Sequence, residues 1–277
     1  MTDLSAQLWC EKQLELSLEK GRIKTEEMNK GSDRHQALHE EVATLITVKP
    51  QSLEDHVALR LHNSLVGLVR LSKEGMTRET PVIGKINSLF VIGSIDEIML
   101  KRKVLKIIDT KTRSSNMMPS EAQKRTTRFQ LMAYKHLFES IQQGRFTTDD
   151  FLTSYGLNKK SEITNTFLDE IHGLGDGMIP NISTLADLVF SLMKKLPPIS
   201  DDLQVRYENQ SSKKIIGIDD FQFNFDQFKR DCDFVEGFWL GKRDAIPVGE
   251  ANKWKCNYCE FKCLCQDKMK PLDNFSD

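Results

Sequence analysis

The chain has 277 residues, 29% of them charged and 39% hydrophobic, with a formal net charge of −1. That length suits one large domain or two small ones, and it buries enough apolar surface to fold without disulfide staples. Collagen-like, disordered and mini-protein classes are excluded by composition, no run approaches the roughly 18 apolar residues of a membrane-spanning helix, and no secretory apolar region follows Met1.

Residues 4–20 predict a helix, with Leu4, Leu8, Leu14 and Leu18 near one face and Gly21 at its end. A second helix is expected over 32–46, on a stripe of Ala37, Leu38, Val42, Leu45 and Ile46 stopped near Pro50. A third is expected over 53–71, where Val57, Leu61, Leu65 and Leu68 recur at burial spacing. The period then changes. Between 81 and 111 the apolar residues come in short Val- and Ile-rich blocks, so that 89–100 reads as a strand, Lys101-Arg102-Lys103 as a turn and 104–112 as the partner strand. A helix over 121–143 follows, started by Pro119 and Ser120, ended by Gly144, and apolar at Leu131, Tyr134, Phe138 and Ile141. Residues 145–200 are mostly helical, most clearly over 185–195, and Pro197-Pro198 is the strongest break. A second hairpin is expected over 203–208 and 214–223, then a helix over 225–240 and a cysteine-bearing tail. Helices followed by hairpins interleaved with helices predict a mixed α/β domain.

Asp109 and Lys111 are two apart on a predicted strand, so both side chains leave one face. Asp96 lies across the same hairpin, where its carboxylate approaches that of Asp109. Two carboxylates held close are costly unless a cation lies between them, and Mg²⁺ takes such oxygens. A lysine beside them can orient a water for attack on a phosphodiester and offset the charge that develops. The triplet alone also describes a solvated strand, where Asp and Lys are ordinary. On the next helix Gln130 and Tyr134 are four apart and share a face, offering an amide for a water or phosphate oxygen and a phenol that stacks or donates. Gly31 and His35 open the second helix; His35 and His39 lack the intervening acid of a zinc-protease helix. Basic charge gathers at Lys101, Arg102, Lys103, Lys106 and Arg113, then at Lys124, Arg125 and Arg128, either as a solvated hairpin tip or as a groove for phosphates.

Four of the six cysteines, Cys256, Cys259, Cys263 and Cys265, crowd near the end, which reads as a metal site in a reducing compartment. Two ligand sets stand open. One is a local four-cysteine zinc site. The other joins Cys10 to Cys256, Cys259 and Cys265, four thiolates of the kind that hold a [4Fe–4S] cluster, with Cys263 competing for the place of Cys265. Tying Cys10 to the tail closes a very long loop and would remove about 4–5 kcal/mol of chain entropy from the unfolded state. Cys232, on a predicted helix, is expected to be a buried bystander.

The order Cys10, Gly31-x₃-His35, Asp96, Asp109-x-Lys111, Gln130-x₃-Tyr134 and Cys256-x₂-Cys259-x₅-Cys265 resembles the iron–sulfur branch of the PD-(D/E)xK superfamily, the RecB-like nuclease domains. Within it, Gly93-Ser94-Ile95-Asp96-Glu97, Asp109-Thr110-Lys111-Thr112-Arg113 and Trp254-Lys255-Cys256 are similar to the exonuclease V family of eukaryotic single-strand DNA exonucleases. The resemblance runs over nearly the whole chain. It departs in lacking a proline before Asp96, in having Asp109 where many members have Glu, and in the extra thiol of Cys263.

The resemblance implies an α/β PD-(D/E)xK nuclease fold in one domain over 1–277: a mixed central sheet flanked by helices. A helical insertion over about 145–200 would cover part of the site, and a cluster-binding tail over 250–277 would be clamped to the N-terminus. It implies metal-dependent exonucleolytic cleavage of single-stranded DNA to short oligonucleotides, in DNA repair. Asp96 and Asp109 would hold Mg²⁺, for which Mn²⁺ would substitute, with His35 as a further ligand. Lys111 would be the catalytic lysine, and Gln130 and Tyr134 would complete the site. Cys10, Cys256, Cys259 and Cys265 would hold a structural [4Fe–4S] cluster, while Arg113, Lys124, Arg125 and Arg128 would track phosphates. A monomer in the nucleus or cytosol is expected, acting on single-stranded DNA alongside a single-strand DNA-binding protein. The mitochondrion is the alternative compartment if a transit peptide lies outside this sequence. A different reading, a non-catalytic nucleic-acid-binding module with a C-terminal zinc site, uses the same cations and cysteines.

Overall fold

A computed structural model describes residues 1–41, 48–172 and 181–268. The N-terminal helix expected over 4–20 is broken in two, α1 (Thr2–Gln7) and α2 (Glu11–Lys20). Cys10 is the extended N-cap of α2, so its thiol sits at the break rather than along a helix face. Gly21 ends α2 at φ +85°, a conformation open to glycine. The next helix, α3 (Glu26–Glu40), begins earlier than its apolar stripe suggested, because the Thr25 hydroxyl accepts from the Met28 N–H and caps it there. Val42, Leu45 and Ile46 of that stripe lie outside the described residues. Helix α4 (Leu53–Glu74) is capped by Ser52 and closed by left-handed Gly75.

Five strands follow: β1 (Met76–Ile86), β2 (Leu89–Lys101), β3 (Val104–Arg113), β4 (Asp202–Asn209) and β5 (Ile215–Gln222). They form one sheet in the order β1-β2-β3-β4-β5, antiparallel throughout except for the parallel β3–β4 pair. The expected mixed sheet flanked by helices is borne out. Sequence reasoning left β1 unassigned, because Arg78-Glu79-Thr80-Pro81 interrupts its apolar pattern. At a sheet edge the missing N–H of Pro81 is tolerated, and β1 is an edge strand.

A parallel pair needs a long crossover. Here it is α5 (Glu121–Gln142), α6 (Thr148–Tyr155), α7 (Asn165–His172) and α8 (Ile182–Lys195). A capping box between Ser120 and Gln123 starts α5, which buries Phe129, Leu131, Leu137, Phe138 and Ile141 in the core. Helix α8 packs on α4 and α5, so among the described residues the 145–200 segment buttresses the helical layer; α4 and α5 lie against β1, and α3 packs on β1 and β3 as well. After β5 come α9 (Phe225–Trp239), a 3₁₀ segment (Glu250–Tyr258) and α10 (Lys262–Lys268).

Among the described residues, the N-terminal and C-terminal segments meet through direct side-chain and backbone contacts. Glu11, 2% exposed at its side chain, pairs with both terminal nitrogens of Arg243 (2.5 and 2.6 Å) and accepts from the Ile246 N–H. Gln7 donates to the Val235 carbonyl and accepts from the Trp239 indole. Lys255 donates to the Trp9 carbonyl and lies 4.5 Å over its ring.

Candidate active site

Strand register brings three acids into one row. Arg78 faces Glu97 and Thr80 faces Ile95, so Glu79 lies opposite Asp96; Glu97 faces Ile108, so Asp96 lies opposite Asp109. Residues opposed across antiparallel strands share a face. The β2–β3 ladder stops at Glu97, and past it the Asp96 carboxylate itself accepts the Thr110 N–H at 3.0 Å. From α3, His35 Nδ1 sits 3.0 Å from Glu79 Oε1 and 3.5 Å from Asp96 Oδ2. Ligand atoms of His35, Glu79 and Asp96 all lie within 4.8 Å of one another.

Lys111 follows Asp109 on the same face, with Nζ 2.9 Å from Asp109 Oδ1 and 3.3 Å from Gln130 Oε1. Gln130 in turn donates to the Tyr134 hydroxyl at 2.8 Å. Tyr134 can lie so close to β2 because residue 93 is glycine: a Cβ there would be 2.5 Å from the tyrosine ring. Thus the expected residues His35, Asp96, Asp109, Lys111, Gln130 and Tyr134 are drawn together by α3, β2, β3 and α5.

The electrostatics suit a cation. Burial, reinforced by the charge of Asp109, raises the Asp96 carboxyl to about 7. Burial works to lower the Lys111 amine, yet Asp109 and Asp96 outweigh it and hold the amine protonated above its ordinary range. The hydrogen bond to Glu79 raises the His35 imidazole against its burial, with Asp96 helping. Asp109 is 1% exposed, and its Oδ2 is buried without a hydrogen-bond partner. A carboxylate oxygen so placed is expensive unless something positive reaches it. Oxygen donors with one imidazole suit Mg²⁺ or Mn²⁺ better than a thiolate-seeking metal.

The expected phosphate-tracking cations fare differently. Arg128 makes a two-pronged pair with buried Asp219 on β5 (2.8 and 2.6 Å) and also reaches Glu121; Lys124 pairs with Glu121 at 2.7 Å and approaches Asp219. Both side chains tie α5 to β5, a structural engagement that the sequence could not reveal because Asp219 is far away in the chain. Arg125 is half exposed and holds Asp231 at 2.6 Å. Arg113 ends β3, two residues beyond Lys111, and is half-buried.

At the far end of α1, a cavity of about 400 Å³ is lined by Cys10, Cys256, Cys259 and Cys265, with Trp9, Leu16, Pro247 and Val248 as apolar wall and Lys253, Lys255 and Lys262 at hand. Cys263 is exposed and does not line it. Cys232 is buried on α9, as expected of a bystander.

Two residues at the site were missed from sequence. Glu79 fell in the stretch read as preceding the strands; its i+2 relation to Pro81 gave no sign of a sheet edge. Tyr207 faces Lys111 across the parallel β3–β4 pair and is 3% exposed; its burial pushes the phenol to about 12.

The profile of a family described as "Exonuclease V - a 5' deoxyribonuclease" matches residues 1–106, 99–188 and 180–267. The chain belongs to the exonuclease V family. A relative from Danio rerio named Exonuclease V is 29% identical over 276 residues, covering 96% of this chain and 69% of that protein. A Candida albicans (strain WO-1) protein named "Exonuclease V, mitochondrial" is 28% identical over 67 residues, covering 24% of this chain and 11% of that protein. The chain therefore spans about two thirds of its zebrafish relative and about a tenth of the fungal one. A solved structure titled "Crystal structure of SSO0001" is similar with a TM-score of 0.40 at 14% identity, over 96% of this chain and 86% of that one, a likeness too low to carry an argument. The resemblance to the exonuclease V family is borne out by the family match.

Proposed function

We propose that this exonuclease V family chain is a metal-dependent exonuclease that degrades single-stranded DNA from the 5′ side into short products. One observation carries the reading: Asp96, Asp109 and Lys111 converge with a buried, unpartnered oxygen on Asp109. Asp96 and Asp109, with His35 beside Asp96, would hold Mg²⁺. When bound, the ion supplies a Lewis acid for the scissile phosphate and a centre at which water ionises readily. Lys111 stays protonated between Asp109 and Gln130, so it acts as a donor and not as a base: it orients the incoming water and offsets the negative charge growing on the phosphate. Gln130 fixes the amine, and Tyr134 fixes Gln130. Arg113, two residues beyond Lys111, and the half-exposed Arg125 would contact phosphates, which makes binding fall steeply with salt.

The cavity supports a [4Fe–4S] cluster on Cys10, Cys256, Cys259 and Cys265. Its wall contains the isolated Cys10 and omits Cys263, the reverse of what a local zinc site needs, and its three lysines suit an anionic group. The cluster would stiffen the junction of the chain ends rather than carry electrons. A role in DNA repair completes the proposal, in the nucleus or, as the names of the fungal relatives suggest, the mitochondrion.

The test uses linear 5′- and 3′-labelled single strands, a circular single strand, duplex DNA and RNA, each with Mg²⁺ or EDTA. Short products from linear single-stranded DNA with Mg²⁺ alone are expected, appearing first at the 5′ label. Equal cutting of the circle overturns the exonuclease reading, and equal cutting of duplex overturns the single-strand preference; binding without any product leaves the non-catalytic module in its place.

A further inference from the structure

Glu79 has no part in the reading above, yet it is built into the site. It stands first in the row Glu79–Asp96–Asp109. Its Oε1 meets His35, and its Oε2 accepts from Ser94 Oγ at 3.0 Å, so both oxygens are held in place. Its backbone is held at φ +49°, a strained conformation for a residue with a Cβ, at the place where the β1–β2 pairing skips a residue. The side chain is about one quarter exposed, so an ion can reach it from solvent.

The row holds more donor atoms than one ion uses. His35, Glu79 and Asp96 gather around one point, while Asp109, with its unpartnered Oδ2, stands on the strand at the other side of Asp96. Asp96 is the middle member and the only acid adjacent to both neighbours. Two divalent ions sharing a central carboxylate, about 3.5–4 Å apart, are a recurrent arrangement for phosphodiester hydrolysis, one ion at the attacking oxygen and one at the leaving oxygen.

We propose that Glu79 is a cation ligand, and that His35, Glu79 and Asp96 form a second divalent site beside the one between Asp96 and Asp109, with Asp96 shared. This rests on the metal-dependent reading of the site and goes beyond it in assigning Glu79. A Glu that merely oriented His35 would hold it equally well as an amide; a Glu that binds a cation would not.

Mn²⁺ titration of the intact protein, followed by electron paramagnetic resonance of the free ion, separates these roles without reference to cleavage. The parent should bind two equivalents. Glu79→Gln should weaken one of them at least about tenfold and leave the other, and Asp109→Asn should weaken the other. Thermal unfolding in EDTA, unchanged in Glu79→Gln, shows that the fold is intact. Two equivalents of unaltered affinity in Glu79→Gln overturn the assignment, as does a single equivalent that both proteins share; in either case the metal-dependent reading survives. A parent that binds no Mn²⁺ defeats that reading and this one with it.

Discussion

Lys111 reaches an aspartate and a glutamine at once, and two carboxylates keep it charged. Lys111→Met should therefore lower cleavage by about 10²–10³-fold, with strand affinity, read by fluorescence anisotropy, nearly unchanged. Asp96 gives a pH dependence whose sign is fixed. Burial and the charge of Asp109 raise its carboxyl to about 7, above its unfolded value, so between about 4 and 7 the folded metal-free chain holds a proton that the unfolded chain releases. Stability in EDTA should fall as pH rises through that window. Asp96→Asn, which keeps an oxygen for the Thr110 N–H, should flatten the slope and gain on the order of 2 kcal/mol at pH 8 in urea denaturation. Mg²⁺ should stabilise the parent above pH 7 and not Asp96→Asn. Arg128→Ala should cost about 2 kcal/mol, because buried Asp219 loses a two-pronged partner, and should change strand affinity little; a large affinity loss at unchanged stability would return Arg128 to the phosphate path.

At the scale of elements, the residues that were legible are those whose partners are local or whose period is strong. The β2–β3 hairpin, the D-x-K face and the Gln130–Tyr134 pair follow from periods of two and of 3.6, and α5 announces itself through Ser120 and Gly144. What stayed hidden depends on tertiary placement. β1 was lost because a proline and a run of polar residues are acceptable only at an edge, and edges are not written in one strand. The break at Cys10 was lost because leucines continue the helical stripe straight through it. The pairing of Arg128 and Lys124 with Asp219 spans about ninety residues. Gly93 tests how tightly β2 and α5 are matched. A methyl at that position meets the Tyr134 ring, so Gly93→Ala should cost about 1–3 kcal/mol in thermal or denaturant unfolding and lower cleavage through Gln130.

Across the whole molecule, the ends of the chain are joined twice, once by ordinary contacts and once, in the proposal, by sulfur. Glu11 is the centre of the first set: Arg243, Gln7 and the Ile246 N–H all converge on it. Glu11→Ala strands the Arg243 charge and should cost about 3–5 kcal/mol. It should also lower iron bound per chain and the visible absorbance of the purified protein, since Cys10 leads directly into Glu11. Unchanged iron content at reduced stability would show that the cysteines hold the junction by themselves.

The row of acids has a consequence for how such a catalyst can vary. Neighbouring chains in any sheet lie about 4.8 Å apart, and three such neighbours, β1, β2 and β3, bring Glu79, Asp96 and Asp109 side by side. The oxygen donors are thus set out on a ruler made of backbone, not on loops. Turns can lengthen and helices can be exchanged around it, retuning which strands are admitted, while the placement on which the chemistry depends stays as it was.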